Sequence, residues 1–254
     1  ITPAADAALP MAGYAGRKEG FHGIHDPLYV RAIVLDDGAA QAALVAWDLL
    51  FVPEAVWEET TRRIAGETGI RVDHVLLSAV HNHGAPSLAG SSGTPPNTAA
   101  YTARVVEAAV EAVRRAKAQL QPARVGFGTG RAYLNVNRRD FSPGRGWWLG
   151  YNDEGPSDKT VAVLRFEDLT GRPLAFWINY AVHAVIMGPE NYQITGDLAG
   201  ATSRFVEAHY LGKTRPRSDG GMLLRLPPEQ RGTGDGPLAV WTPGAAGDQN
   251  PIST

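Results

Sequence analysis

The sequence predicts an α/β domain: a mixed β-sheet with flanking helices and a site at the ends of strands. Three observations lead there. The stretch "LYVRAIVLDDGAAQAALVAWDLL" reads as two β-rich runs joined by Asp-Asp-Gly, the chemistry of a hairpin turn. Residues 41 to 80 then read as strand, helix, strand, a unit that places two parallel strands side by side. Finally "TVAVLRFED" and "PLAFWINYAVH" are strand-like runs separated by the turn "LTGR".

The elements follow in order. Pro53 suits a first helical position, the residues through Thr68 are good helix formers, and Gly69 sits where a C-terminal cap belongs. "HVLLSAV" is a short, nearly continuous apolar strand. A loop rich in Gly, Ser and Pro, "GAPSLAGSSGTPPN", leads to a long helix from about Thr98 to Leu120 whose inner stripe is Val105, Val106, Val110 and Val113. "ARVGFGTGRAYLNVN" reads as strand and "NRRDFSPGRGWWLGYNDEGPSD" as a long loop, a length that is often functional. Asp197 caps a helix running to about Tyr210. "LGKTRPRSDGGMLLRLPPEQRGTGDGP" is a polar connection, "LAVWTP" a last strand, and "GAAGDQNPIST" a terminal loop with no closing element. Residues 1–254 are therefore expected to form a single domain that is incomplete at its C-terminal end. There is no internal repeat.

Composition narrows the function. Hydrophobic residues make up 44% and charged residues 20% of the 254, values ordinary for a globular chain, so disordered and fibrous classes drop out. A formal net charge of −2, with Lys and Arg scattered, offers no long-range attraction for nucleic acid or anionic lipid. No run approaches the roughly 18 apolar residues of a transmembrane helix. There is no cysteine, so disulfides, thiolate nucleophiles and sulfur-ligated metal are all excluded, and any metal must be held by nitrogen and oxygen.

Against that background "LLSAVHNHGAPS" stands out, because it puts His81 and His83 at the end of an apolar strand. Side chains at i and i+2 of a strand project from one face, so the pair can point at one ion. His183 also closes a strand-like run. Three imidazoles plus water is a familiar catalytic zinc arrangement, and zinc so held suits hydrolysis of amides or esters by an activated water. A His-x-His pair alone fits a solvated or structural role as well. His22 and His25, in "FHGIHDPLY", are further candidates, whereas His74 and His209 read as structural. Asp48 and Asp197 are candidate acceptors that orient a ligand histidine, or else a strand-end turn and a helix cap. Asp48 is also a candidate base. Trp147, Trp148 and Tyr151 either line a substrate mouth or pack on the surface.

The blocks "MAGYAG", "GIHDPLYVRAIVLDDG", "LLSAVHNHGAPS", "LNVNRR", "DKTVAVLRFED", "WINYAVHAVIMGPENYQITGDLAG" and "GAAGDQNP" resemble, in the same order and over nearly the whole chain, those of the neutral (non-lysosomal) ceramidase family. The family's His-Thr-His-Ser-Gly-Pro corresponds to His81-Asn82-His83-Gly84-Ala85-Pro86. Its Ala-Val-His and Ser/Thr-Gly-Asp blocks correspond to Ala181-Val182-His183 and Thr195-Gly196-Asp197. The resemblance implies a zinc amidohydrolase that cleaves ceramide into a sphingoid base and a fatty acid, with His81, His83 and His183 as zinc ligands. It further implies a lipid or small-molecule substrate and a secreted or membrane-surface enzyme, although the composition leaves the compartment open. The family completes its zinc site with a Glu and a Tyr from a later region, beyond the residues of this chain. Arg138 matches the arginine of the family's Asn-Arg-Ser block and is expected to stabilise charge on a carbonyl oxygen, with a structural ion pair as the alternative. One departure is pointed: where the family has Gly-Asp-Val-Ser-Pro-Asn, this chain has Gly247-Asp248-Gln249-Asn250-Pro251. Asn250 cannot attack a carbonyl but can donate a hydrogen bond to substrate or oxyanion. Ser253 is a weak replacement. The chain also shows no obvious long apolar surface loop for entering a lipid film, so a more soluble amide, ester or lactone, or a ligand-binding role without turnover, stays open.

Overall fold

The computed structural model describes residues 1–90, 98–212, 214–216, 222–224 and 236–252. The expected hairpin is β2 (Val30–Asp36) and β3 (Gln41–Trp47), antiparallel, with Asp36 opposite Gln41. Its turn forms as the residue types dictate: Gly38 takes φ +85°, and Asp37 Oδ1 accepts the N–H groups of Ala39 and Ala40. Helix α1 (Glu54–Thr68) then crosses to β4 (Val75–Ala79), which lies parallel to β3 and completes a three-stranded sheet, β2-β3-β4. Pro53 is the N-cap, one residue ahead of the helix. Gly69 takes the left-handed conformation (φ +75°), and its N–H reaches the Ala65 carbonyl. Helix α2 (Thr98–Ala118) buries Val105, Val106, Val110 and Val113 as its spacing requires.

A second sheet has the order β13-β9-β8-β5. It joins β5 (Ala123–Arg131), β8 (Thr160–Asp168) and β9 (Pro173–Tyr180), antiparallel to one another in that order, to β13 (Leu238–Pro243), which runs parallel to β9. Alternation along the strands fixes the layers. On β3, Ala43, Val45 and Trp47 face α1 and α2, while Ala46 faces the second sheet with Ile33, Phe166, Ala175 and Val240. On β9, Phe176, Ile178 and Tyr180 face the other way, toward α3 (Asp197–Tyr210). The result is the expected α/β class with mixed sheet and flanking helices, built in four layers: helix, sheet, sheet, helix.

Two short pairings complete the frame: β1 (Gly23–Ile24) lies parallel to β10 (Gln193–Ile194), and β11 (Thr214–Pro216) pairs with β12 (Met222–Leu224). Two expectations are corrected. The "long loop" is a β-hairpin of β6 (Asn135–Ser142) and β7 (Gly146–Asn152). The terminal loop contains β14 (Gln249–Pro251), which pairs antiparallel with β6 into a sheet ordered β14-β6-β7. Three residues are too few for a hydrophobic period to register, and glycines at 144, 146 and 150 disguise the hairpin. Most of the polar connection 211–237, and Ser253, lie outside the described residues.

Candidate metal centre

Strand β4 stops at Ala79, two residues short of His81, so strand alternation does not bring the His-x-His pair together. His81 sits in the left-handed region at φ +60°, a conformation that costs a non-glycine residue about 1 kcal/mol or more. The buried Asn82 holds it there. Asn82 Nδ2 donates to the carbonyls of Thr195 (2.6 Å) and Asp48 (3.2 Å), and its Oδ1 accepts the Gly84 N–H (2.7 Å). His183 follows β9 by three residues, and its backbone N–H donates to the Gln249 carbonyl of β14.

The three rings converge, with one ligand nitrogen from each within 4.8 Å of the others. Nε2 of His81 lies 3.1 Å from Nε2 of His183 and 3.4 Å from Nε2 of His83. Nδ1 of His81 is 3.0 Å from the Leu50 carbonyl oxygen, and Nδ1 of His183 is 3.1 Å from that of Gln249. A carbonyl only accepts, so both Nδ1 atoms carry the proton and both Nε2 atoms present lone pairs to each other. His83 is held differently: its Nδ1 is buried with no hydrogen-bond partner.

Burial, the largest cause, lowers the pKa of all three rings, bringing His83 to about 3 and His183 to about 4. The positive charge of Arg138 pushes each of them the same way. Arg138 is stapled to the segment around β14: its N–H donates to Asp248 O (2.7 Å), Nη2 to Gly247 O (2.8 Å) and Nη1 to Asn250 Oδ1 (3.4 Å). The hairpin strand β6 thus brings Arg138 and Asn250 together, beside the carbonyl that orients His183.

Asp48 is elsewhere occupied. Its buried carboxylate accepts from Arg31 Nη1 (3.1 and 3.2 Å) and from the Tyr29 N–H (2.9 Å), and it bonds none of the three histidines. The acceptors that orient His81 and His183 are backbone carbonyls instead. Asp197 accepts the N–H groups of Ile186 and Met187, both at 3.0 Å, so it ties the segment after His183 to the start of α3. The N-cap position of α3 belongs to Gly196. Behind it Asp26 accepts from Thr195 Oγ1 and the Gly196 N–H and forms an ion pair with Arg204 at 2.8 Å. Burial pushes the Asp26 carboxyl up, but Arg204 and these hydrogen bonds outweigh it and the pKa is lowered.

The remaining histidines lie outside the cluster. His22 pairs with Glu19 and stacks on Tyr192, His25 pairs with Asp26, and His74 meets the Gln41 carbonyl. His209 packs against Phe205 and Tyr210. Trp147 and Tyr151 stand on the exposed face of the β6–β7 hairpin, and Trp148 on its other face under Arg145.

One wall of the site was not legible in advance: the loop "MAGYAGR". Gly13, at φ +99°, lies so close to His83 that a Cβ there would sit 2.4 Å from Nδ1. Tyr14 meets the His83 ring edge-on at 4.8 Å. Arg17 clips the wall in place, donating to the carbonyls of Ala12, His83, Gly188 and Pro189. The glycine-flanked tyrosine was the available signal, but nothing local says which histidine it meets.

A four-layer α/β domain with imidazoles converging where strands end defines a candidate metal centre on a ceramidase-like frame. Residues 2–235 match the family described as neutral/alkaline non-lysosomal ceramidase, N-terminal, and the chain belongs to that family. It is 28% identical over 228 residues to neutral ceramidase A of Dictyostelium discoideum, covering 82% of this chain and 31% of that protein. It is 29% identical over 261 residues to the neutral ceramidase of Mycobacterium tuberculosis, covering 87% and 40%. The crystal structure of neutral ceramidase from Pseudomonas aeruginosa superposes with a TM-score of 0.73 at 24% identity, covering 97% of this chain and 38% of that one, which establishes the shared fold. The chain spans only part of these relatives' length: 31% and 40% of the two curated proteins and 38% of the solved chain.

Proposed function

We propose that this domain supplies the histidine face of a zinc-dependent amidohydrolase of the neutral ceramidase type, acting on the N-acyl bond of ceramide or a related substrate. One observation carries the reading. Two imidazoles, both with Nδ1–H donated to a carbonyl, aim their lone pairs at each other across 3.1 Å. Without a cation that approach is repulsive, and burial disfavours the imidazolium that would relieve it. Two imidazole nitrogens on one tetrahedral zinc, each at about 2.0–2.1 Å, would be separated by about 3.3 Å, which the 3.1 and 3.4 Å spacings from His81 to His183 and His83 match. Carbonyls that accept the other ring N–H and so fix the tautomer are the usual companions of ligand histidines.

In this reading His81 and His183 are ligands and His83 completes the nitrogen set. Zinc, when bound, supplies Lewis acidity toward water and a carbonyl oxygen at neutral pH. Arg138 places its guanidinium beside the site, where it stabilises negative charge developing on the substrate oxygen. Asn250, with Oδ1 facing Arg138, offers its amide N–H groups as donors and supplies no nucleophile. Asp48 acts as a positioning residue: it orders Tyr29 and Arg31, and its carbonyl helps hold Asn82 between the two histidines. An ester, a lactone or a more soluble amide would use the same groups. Asn250 in place of the family's serine favours a second reading, a ligand-binding relative without turnover.

Elemental analysis of the purified protein beside a His183→Ala variant tests the first reading. We expect about one zinc per chain, lost in the variant, and hydrolysis of N-acyl substrates that a chelator abolishes and zinc restores. Wild-type protein prepared without chelators and free of zinc would overturn it. Stoichiometric zinc with no turnover of amides, esters or lactones would favour the binding role.

A further inference from the structure

The two segments that carry the histidines are fastened to one turn. Thr195 and Gly196 link β10 to α3, and Asp197 opens the helix. On one side the Thr195 carbonyl accepts Asn82 Nδ2 at 2.6 Å, and the Thr195 N–H donates to the Gly84 carbonyl at 2.9 Å, which grips the His81–His83 segment in its middle and just past its end. On the other side the Asp197 carboxylate accepts the N–H groups of Ile186 and Met187, three and four residues past His183. The direct backbone tie between the histidine segments is long, His83 N–H to the Ala184 carbonyl at 3.4 Å. The spacing of His81 and His183 therefore depends on the turn that both share.

That turn needs outside support. Asp197 sits at φ +49°, a left-handed conformation that is costly for a residue with a side chain. Its fit to the His-x-His segment leaves no slack, since a Cβ at Gly84 would lie 2.5 Å from Thr195 Cγ2. Asp26 supplies the support. The parallel pairing of β1 with β10 sets Gly23 beside Gln193 and Ile24 beside Ile194, which brings Asp26 alongside Thr195 and Gly196. Asp26 Oδ2 accepts Thr195 Oγ1 at 2.6 Å and Oδ1 accepts the Gly196 N–H at 2.9 Å, while Thr195 Oγ1 accepts the Asp197 N–H at 3.0 Å. Arg204 of α3 pairs with Oδ1 at 2.8 Å, and His25 Nδ1 donates to Oδ2 at 2.7 Å. Asp26, Thr195 and Arg204 are all buried. Burying an Asp–Arg pair gains little stability over an apolar pair; what it provides here is a carboxylate held on both oxygens, with little freedom to move.

We propose that Asp26, acting through the Thr195 hydroxyl, is a positioning residue for the metal centre: it locks the turn that sets the distance between His81 and His183. This rests on the hydrolase reading for its purpose, and its test needs no turnover.

Zinc affinity, read by competition with a chelating dye beside thermal unfolding, provides that test. Thr195→Val keeps nearly the same shape and removes the hydroxyl, and should lower zinc affinity about 10- to 100-fold, whereas Thr195→Ser should bind nearly as the wild type does. Asp26→Asn with Arg204→Met, which removes both charges together, should match Thr195→Val and keeps the test decisive if that variant fails to fold. Gly69→Ala strains the cap of α1 and meets none of these groups, so it should leave zinc affinity unchanged. In metal-free protein the Nδ1–H protons of His81 and His183 should give NMR signals that move in Thr195→Val and return in Thr195→Ser. Wild-type affinity and unmoved ring signals in Thr195→Val would overturn the proposal. So would affinity that falls equally in Gly69→Ala, or a Thr195→Ser no better than Thr195→Val. A wild type that binds no zinc would overturn the hydrolase reading alone, and the ring signals would then decide whether Asp26 positions the histidines.

Discussion

At the scale of single residues, the site is assembled by groups that do no chemistry themselves. Asn82 is the clearest: three hydrogen bonds from one buried amide hold His81 in a strained turn and bind the loop before α3 to the His-x-His segment. Gly13 is another, because its lack of a side chain lets backbone pack against the His83 ring. Gly13→Ala should force that ring aside, both by the 2.4 Å approach and by a φ of +99° that alanine resists. The expected outcome is zinc affinity lowered by about 10- to 100-fold, read by competition with a chelating dye. Unchanged affinity would show that His83 tolerates displacement and is not a ligand. The three histidines were legible because imidazole at strand ends is a recognisable chemistry. Gly13, Tyr14 and Arg17 were not, since what makes them part of the site is contact with residues some 66 to 172 positions away.

At the scale of elements, local chemistry was a good guide wherever it acted alone. The Asp-Asp-Gly hairpin, the helix ended by Gly69 and the valine stripe of α2 all form as residue type and period require. Gly69→Ala should therefore cost about 1 kcal/mol in a urea titration, because alanine pays for the left-handed cap that glycine takes freely. A loss near zero would mean the chain ends α1 another way. The failures have a common cause. The β6–β7 hairpin alternates in exposure but carries apolar residues on the outside, and β14 is three residues long, so neither presents the inward apolar period by which strands are recognised. β5 also lacks an inward period, an edge strand whose nine residues are all exposed, yet its residue types alone read as strand.

At the scale of the whole molecule, two sheets press face to face between helical layers, and buried charge links those layers. Arg31 on β2 pairs with Asp48 and reaches Glu207 on α3, so the first sheet and the last helix share one ionic group. Burial also makes stability depend on pH. His83 and His183 titrate in the folded protein at about 3 and about 4, below the roughly 6.5 of an unfolded chain, chiefly because burial disfavours their charged forms. As pH falls through about 6.5 the unfolded state takes up protons that the folded state refuses. Their contribution is thus complete above about pH 6.5 and is lost progressively toward pH 4. Metal-free protein should show urea midpoints that fall between pH 7 and 4.5, and His83→Gln should flatten that slope. A midpoint constant over this range would show that the rings are solvated in solution.

The sequence by itself determined the α/β class, the order of most elements, the family, and the three histidines, because periodicity, turn chemistry and ordered motif blocks are local properties. Only the tertiary structure decided that there are two stacked sheets, that Asp48 serves Arg31 and Tyr29 and not a histidine, and that carbonyls of Leu50 and Gln249 set the ring tautomers. Those outcomes depend on which distant backbone group comes to lie within 3 Å of which side chain, and the close packing of the layers, not any local pattern, fixes that.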